Sequence, residues 1–231
     1  MSDALNLSSH AALPRIGLLE QVFRIHHADG MGSGFTVELN ARQYFVTAAH
    51  VVDGLEASNI LELTHRDGHV PCRVLEIRKP VADLDIAILR LDRKLYSWPD
   101  AKYSAEGLYL GCECGFLGFP FGMSADGLPD SEGWPTPFLK KGCLAGSKAA
   151  SSAGRYFFLD GHNNKGFSGG PVFFVNANTS ATHIFGVVSA FQKEAVETED
   201  VRTRKEIMVN AGIVECHSIM PALDALKRLP E

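Results

Sequence analysis

The sequence lacks any long hydrophobic run. In its 231 residues no apolar stretch approaches the roughly 18 residues that are needed to cross a bilayer. Its first residues, Met1 to Asn6, contain no basic segment followed by an apolar one, which is the pattern of a secretion signal. We therefore expect no membrane association and a cytoplasmic location.

Clustered basic charge is also missing. Lysine and arginine together number 22 against 27 aspartates and glutamates, which gives a formal net charge of −5. Nonspecific nucleic-acid binding depends on basic patches, so we exclude a nucleic-acid partner. The composition, 45% hydrophobic and 21% charged, is ordinary for a folded domain and outside the range of disordered chains.

Cysteine is scarce and odd in number, since the chain has five. At least one must be unpaired, and free buried thiols in a reducing compartment are the favoured interpretation. Cys112 and Cys114 flank one residue and could supply half of a metal site. No His/Cys pair at zinc spacing follows them, so we expect no metal, and no organic cofactor is needed either.

Long helices are absent from the pattern as well. Short β-type segments run through the chain instead, such as Val22–Ile25, Ile86–Leu91 and Val172–Val175, and glycine, proline and acidic turns separate them. This length and spacing are typical of an all-β barrel or sandwich. Only the end differs, because Ser218 can cap a helix with Pro221 in its first turn, which predicts a helix over 218–229.

Three segments supply a histidine, a carboxylate and a serine, in that order along the chain. They are Val-Thr-Ala-Ala-His-Val-Val ending at Val52, Asp-Leu-Asp-Ile-Ala-Ile-Leu ending at Leu89, and Gly-Phe-Ser-Gly-Gly-Pro ending at Pro171. Acyl transfer needs such a set: a hydroxyl nucleophile, a base that takes its proton, and an acid that holds the base in one tautomer. The segments and their order, which is that of chymotrypsin, resemble the trypsin-like serine peptidases of the chymotrypsin fold. Among these the chain is most similar to the bacterial HtrA (Deg) proteases.

The resemblance extends from about residue 20 to about residue 229 and implies the architecture. Two six-stranded antiparallel β-barrels are expected, at about 15–98 and about 99–217, followed by the helix at 218–229 packed on the second barrel. The whole chain, 1–231, would be a single peptidase domain, with no PDZ domain after it. Supporting motifs are Gly-Ser-Gly-Phe ending at Phe35 and the glycine-proline turn around Pro120.

The resemblance also implies a role for each motif residue. Ser168 would be the nucleophile and His50 the general base, while the backbone N–H groups of Gly166 and Ser168 would form the oxyanion hole. Asp85 rather than Asp83 would be the acid, because the family motif places it directly before the Ile-Ala-Ile-Leu run. A carboxylate that enters such an apolar strand needs a partner, and the Nδ1–H of the histidine would supply it.

Substrate-binding residues follow from the same resemblance. His162, six residues before the serine, would lie near the specificity pocket, and the substrate would add as a β-strand along Ser189, Ala190 and Phe191. Open-pocket relatives have glycine in place of the phenylalanine, so the pocket would be shallow. It would accept a small aliphatic side chain, or an acidic one paired with protonated His162. The histidine is equally well interpreted as a turn residue.

Phe167, directly before the serine, departs from the family pattern of Asp or Asn. Activation through an ion pair between that Asp and a newly cut N-terminus is therefore not expected. Phe167 could brace the nucleophile loop, or it could hold the oxyanion hole in an inactive conformation. The sequence leaves both options open.

These observations predict a cytosolic serine endopeptidase with a protein or peptide substrate. Two alternatives stay open: a latent or weakly active binding protein that keeps the fold, and a non-peptide acyl hydrolase that uses the same residues. A regulatory partner or a homo-oligomer, with contacts through residues 5–19, is a further hypothesis. The charged run at 194–206 is interpreted as a solvated loop.

Overall fold

The computed structural model describes residues 16–28, 30–65, 68–125, 134–150, 154–197 and 206–228. A short helix, α1 (Ile16–Glu20), precedes the first barrel. The strands of this barrel are β1 (Val22–His27), β2 (Gly30–Leu39), β3 (Arg42–Thr47), β4 (Ile60–His65), β5 (Gly68–Arg78) and β6 (Ala87–Leu91). All six pair antiparallel and close the barrel in the order β1-β2-β3-β6-β5-β4.

The second barrel is built by six strands that follow residue 110. They are β8 (Glu113–Gly118), β9 (Phe138–Ala149), β10 (Arg155–Asp160), β11 (Pro171–Val175), β12 (Thr182–Glu197) and β13 (Glu206–Ser218). Their order is β11-β8-β9-β10-β13-β12, and an antiparallel β11–β12 pairing closes the ring. A two-residue strand, β7 (Lys102–Tyr103), joins β12 from outside in the parallel direction, which the sequence did not predict. The predicted pair of six-stranded antiparallel barrels is confirmed.

Each barrel has its own core, and a third apolar cluster joins the two. The β6 strand shows why its sequence is a continuous apolar run. Ala87 and Leu89 point into the first barrel, while Ile86 and Ile88 alternate to the opposite face and enter the joining cluster. Because both faces of the strand are buried, both need apolar side chains.

The C-terminal helix, α2 (Met220–Lys227), begins two residues later than predicted, and Ser218 belongs to β13 rather than capping it. Its buried side chains Ala222, Leu223 and Leu226 enter the cluster between the barrels. The helix therefore covers the junction of the barrels rather than the second barrel alone.

All five cysteines are free thiols, and all except Cys143 are buried. Among the described residues, no three His, Cys, Asp or Glu side chains are grouped to hold a metal ion, and this includes the Cys112–Cys114 region. No helix of the described chain is long and apolar enough to span a membrane.

Candidate active site

Asp85 lies in the turn between β5 and β6, at the junction of the barrels. Leu84 and Ile86, on either side of it, are 3% and 1% exposed and anchor the turn in the joining cluster. Apolar neighbours that are buried on both sides leave the carboxylate as the group that faces the cleft. Asp83, the competing carboxylate of the sequence motif, is exposed.

His50 meets this carboxylate at two points. It lies in the 3-10 turn Ala49–Val52, which is separated from the end of β3 by Ala48 alone. Its backbone N–H donates to Asp85 Oδ1 at 2.9 Å, and its ring Nδ1 is 2.6 Å from Asp85 Oδ2. With the proton on Nδ1, the unprotonated Nε2 is the free basic atom of the ring. The His50 side chain is 53% exposed, so the ring can be reached from solvent.

The Asp85 carboxylate stays ionised because its hydrogen bonds outweigh its burial. Desolvation alone would raise its pKa, but hydrogen bonds from His50 and from the Ser189 hydroxyl lower the pKa to about 2. The Ser189 Oγ donates to Asp85 Oδ2 at 2.7 Å. An ionised acceptor fixes the tautomer of His50 and can stabilise its protonated form.

Ser168 lies between the two barrels, in the turn that precedes β11. Its hydroxyl donates to the backbone carbonyl of Ser189 at 3.2 Å. Within the part of the chain that the structure describes, no hydrogen bond joins it to His50. The three side chains are thus gathered at one cleft, with the histidine–aspartate contact formed and the serine–histidine contact open.

The turn around Ser168 needs glycine at position 166. Gly166 has φ +101°, and a Cβ there would come within 2.1 Å of the Phe119 carbonyl oxygen. Neither the Gly166 N–H nor the Ser168 N–H donates to an acceptor in the described chain. These two amides, one on each side of Phe167, are therefore available to donate to an oxyanion.

Ser33 ties this turn to the rest of the site, a role that the sequence did not reveal. Its hydroxyl donates to the Gly166 carbonyl at 2.7 Å and accepts from the Phe119 amide at 3.0 Å. Its own amide donates to the Ser168 carbonyl at 2.8 Å. The sequence feature that could have revealed this role is the Gly-Ser-Gly-Phe motif, because its serine, Ser33, is the buried residue that makes these hydrogen bonds.

Phe167 is buried completely and braces the loop from inside the second barrel. Its ring packs edge to face on Phe116, with centroids 5.2 Å apart. The Lys140 ammonium lies 5.4 Å from the centroid of the Phe167 ring. The same ammonium donates to the His162 carbonyl at 2.8 Å and to Asn164 Oδ1 at 2.5 Å. Lys140 therefore holds together three residues of the nucleophile loop, the segment 162–168 that ends at Ser168. Sequence reasoning did not predict this contact.

Of the predicted substrate-binding residues, Ser189 contacts Ser168 directly, through its carbonyl. His162 is exposed, and its carbonyl rather than its ring makes the contact with Lys140. The β11–β12 ladder ends at Val187, and backbone hydrogen bonds of Val188 with Gly169 and Gly170 continue the contact. From Ser189 to Phe191, β13 is the strand that pairs with β12 in the described part of the chain. The Ser189 and Ala190 carbonyls accept side-chain hydrogen bonds there, from Ser168 Oγ at 3.2 Å and from Asn163 Nδ2 at 3.4 Å.

Two closed barrels with a histidine, an aspartate and a serine at their junction define a protein of the chymotrypsin-like class. Residues 32–179 match the family model described as trypsin-like peptidase domain. This match spans well over half of the chain and includes all three residues. The protein therefore belongs to the family of trypsin-like peptidase domains.

Solved structures of similar fold include proteases of the HtrA type. The Rv3671c protease of M. tuberculosis, in an inactive form, is 17% identical over 94% of this chain and 92% of its own, with a TM-score of 0.60. The HtrA-type protease AlgW with a tripeptide is 17% identical over 93% of this chain and 63% of its own, with a TM-score of 0.59. At these identities the likeness concerns the fold. No curated protein matches the chain by sequence.

Proposed function

We propose that this protein is a serine endopeptidase that uses Ser168, His50 and Asp85. The observation that carries the proposal is the two-point contact between His50 and Asp85, at 2.9 Å and 2.6 Å. A surface histidine has no need for an ionised, partly buried carboxylate that holds both its amide and its ring. A general base needs both, because its tautomer and its ring plane must be fixed before the proton moves.

The reaction begins with a rotation of the Ser168 side chain. Its hydroxyl leaves the Ser189 carbonyl and turns toward His50 Nε2, a contact that often forms only when substrate binds. The oxygen attacks the scissile carbonyl carbon while its proton moves to the histidine. The tetrahedral intermediate collapses as the histidine returns that proton to the leaving amine, which leaves an acyl-enzyme. Water then repeats the cycle and frees the acid product.

The free amides of Gly166 and Ser168 would stabilise the negative oxygen of the intermediate. Donors that are fixed by a folded loop cost no reorganisation when charge develops. Ser33 supports this arrangement from one side and Lys140 from the other.

The substrate would bind as an added strand along β12 at Ser189–Phe191, on the side opposite β13, and the Ser189 carbonyl would exchange its hydrogen bond with Ser168 for one with the substrate. Backbone hydrogen bonds would provide much of the affinity, and side-chain pockets the selectivity. His162 lies exposed at this end of the barrel, where it could meet the side chain before the scissile bond. No cofactor enters any step.

A latent protease is the second candidate, and one observation favours it. The Ser168 hydroxyl is engaged by the Ser189 carbonyl at 3.2 Å instead of by His50. If that bond persists when substrate binds, a partner protein would have to release it.

Labelling with a fluorophosphonate, read by intact-protein mass, tests the proposal. Wild type should gain one adduct, Ser168→Ala should gain none, and Ser147→Ala should label like wild type because its hydroxyl lies on the surface, bonded to Arg155. A peptide library and an ester substrate should then both be cleaved. Ester cleavage alone would indicate an acyl hydrolase. A folded wild type that is not labelled would favour the latent protease.

A further inference from the structure

We propose that His217 is a positioning residue for the Asp85 carboxylate. His217 lies in β13 of the second barrel and is 5% exposed. The backbone N–H of Asp85, which comes from the first barrel, donates to His217 Nδ1 at 2.7 Å. This inference rests on the proposed function, because it concerns the acid of the same catalytic set.

The hydrogen bond defines the tautomer of His217. A ring nitrogen that accepts from an amide carries no proton, so the proton must lie on Nε2. That atom is 3.1 Å from Glu215 Oε1, which is suited to accept it. The other carboxylate oxygen of Glu215 accepts from Gln192 Nε2 at 2.8 Å. The hydrogen bond from Gln192 fixes the Glu215 carboxylate. That carboxylate keeps the proton of His217 on Nε2, so that Nδ1 can accept from the Asp85 amide.

A neighbouring contact secures the other end of the same turn. Tyr156, in β10, donates its hydroxyl to the Asp83 carbonyl at 2.7 Å. Its ring packs on the His217 ring with centroids 4.8 Å apart. The second barrel therefore holds the turn that carries Asp85 by two hydrogen bonds, one at the Asp83 carbonyl and one at the Asp85 amide.

The consequence is a link between assembly of the two barrels and orientation of the carboxylate. His217 provides the acceptor for the Asp85 amide, and the carboxylate of the same residue aligns His50. Without that acceptor, the amide would have to turn toward another partner, and the carboxylate would move with it. His217 touches neither the substrate edge of β12 beyond Ser189 nor the reacting atoms, so its loss should lower kcat and leave KM unchanged.

Two amide substitutions of the full-length protein separate positioning from packing. In His217→Asn the side-chain oxygen occupies the place of Nδ1, whereas in His217→Gln the amide reaches the place of Nε2 and a methylene replaces the acceptor. The glutamine is closer to histidine in volume, so a packing role predicts that it is the milder change. Positioning predicts the opposite. His183→Gln is the matched control, because this histidine of β12 packs on Phe174, away from Asp85.

The readouts are kcat and KM with a peptide substrate, and the low-field proton NMR signal of the hydrogen bond between His50 and Asp85. We expect His217→Gln to lose about 10-fold in kcat, the effect of one buried hydrogen bond, and to shift or broaden the proton signal. His217→Asn and His183→Gln should keep both. Equal losses in the two His217 variants, or an unchanged kcat and signal in folded His217→Gln, would overturn the proposal.

The NMR comparison also separates this inference from the proposed function. If wild type cleaves no peptide, the proposed function fails, yet the proton signal still reports whether His217 positions Asp85. A signal with the same position and width in His217→Gln as in wild type refutes the positioning role whatever the activity.

Discussion

Ser189 and Asp85 lie 104 residues apart in sequence, yet the serine hydroxyl donates to the carboxylate at 2.7 Å across the junction of the two barrels. Together with His217, this contact means that the second barrel orients an acid that the first barrel carries. The candidate site is therefore complete only when both barrels are folded and packed together.

Asp85→Asn should lower kcat by about 10⁴-fold with little change in KM, as the equivalent change does in a known Ser–His–Asp triad. An asparagine can donate to His50 Nδ1 and so favours the wrong tautomer. The measurement is steady-state cleavage of a peptide substrate. Asp83→Asn is the matched control and should keep most of the activity, because the exposed Asp83 does not contact the histidine. Equal losses in both variants would contradict the assignment of Asp85.

The stability conferred by Asp85 should depend on pH in a defined window. Folding lowers the pKa of this carboxyl from 3.8 to about 2. The ionised group therefore stabilises the folded state above about pH 4, and this contribution is lost as the pH falls toward 2. Urea unfolding of wild type and Asp85→Asn should show a stability difference that shrinks over this window. A difference that stays constant down to pH 2 would refute the argument.

Gly166→Ala should abolish most activity through the oxyanion hole. The new Cβ would lie 2.1 Å from the Phe119 carbonyl oxygen at a φ of +101°, so the turn must shift. We expect a loss of about 10²–10³-fold in kcat, the effect of losing one oxyanion donor, together with lower stability. Gly146→Ala is the control, because a Cβ there meets nothing within 4 Å. Activity near wild type in Gly166→Ala would exclude this amide as a donor.

Lys140→Met should weaken the nucleophile loop while keeping the length of the side chain. It removes the ammonium that binds the His162 carbonyl and Asn164 and that covers Phe167. We expect kcat to fall about 10-fold, as for the loss of one hydrogen bond to a charged group. Lys141→Met is the adjacent control, since that ammonium pairs with Glu113 on the surface. Both variants should be compared by fluorophosphonate labelling rate, and similar rates would argue against a role for Lys140.

Local sequence motifs were sufficient to predict much of the candidate site. The small residues beside His50, the apolar run after Asp85 and the glycines around Ser168 are each short-range signals, and the structure gathers these segments at one cleft. The sequence left the role of Phe167 open, because a phenylalanine that braces the loop and one that holds the oxyanion hole in an inactive conformation have the same local sequence pattern. The structure buries the Phe167 ring against Phe116 and beneath Lys140, contacts that only the tertiary fold supplies.

The residues that sequence reasoning missed act over long separations. Ser33 reaches Gly166 across 133 residues, and Asp85 reaches His217 across 132. No periodicity or spacing marks such pairs, because loop lengths vary freely without changing the contact. The position of the C-terminal helix escaped prediction for a related reason. Its apolar face fits any apolar surface, and only packing selects the junction of the barrels.

By itself the sequence determined the all-β class, the strand segments and the three residues that the family resemblance assigns to catalysis. Alternating burial and glycine-rich turns are properties of short stretches of chain, so they can be read without a fold. Only the tertiary structure decided which hydroxyl, amide and ring hold Asp85, and that Ser168 donates to Ser189 rather than to His50. These choices depend on how two separately closed barrels meet, which the order of residues along the chain does not encode locally.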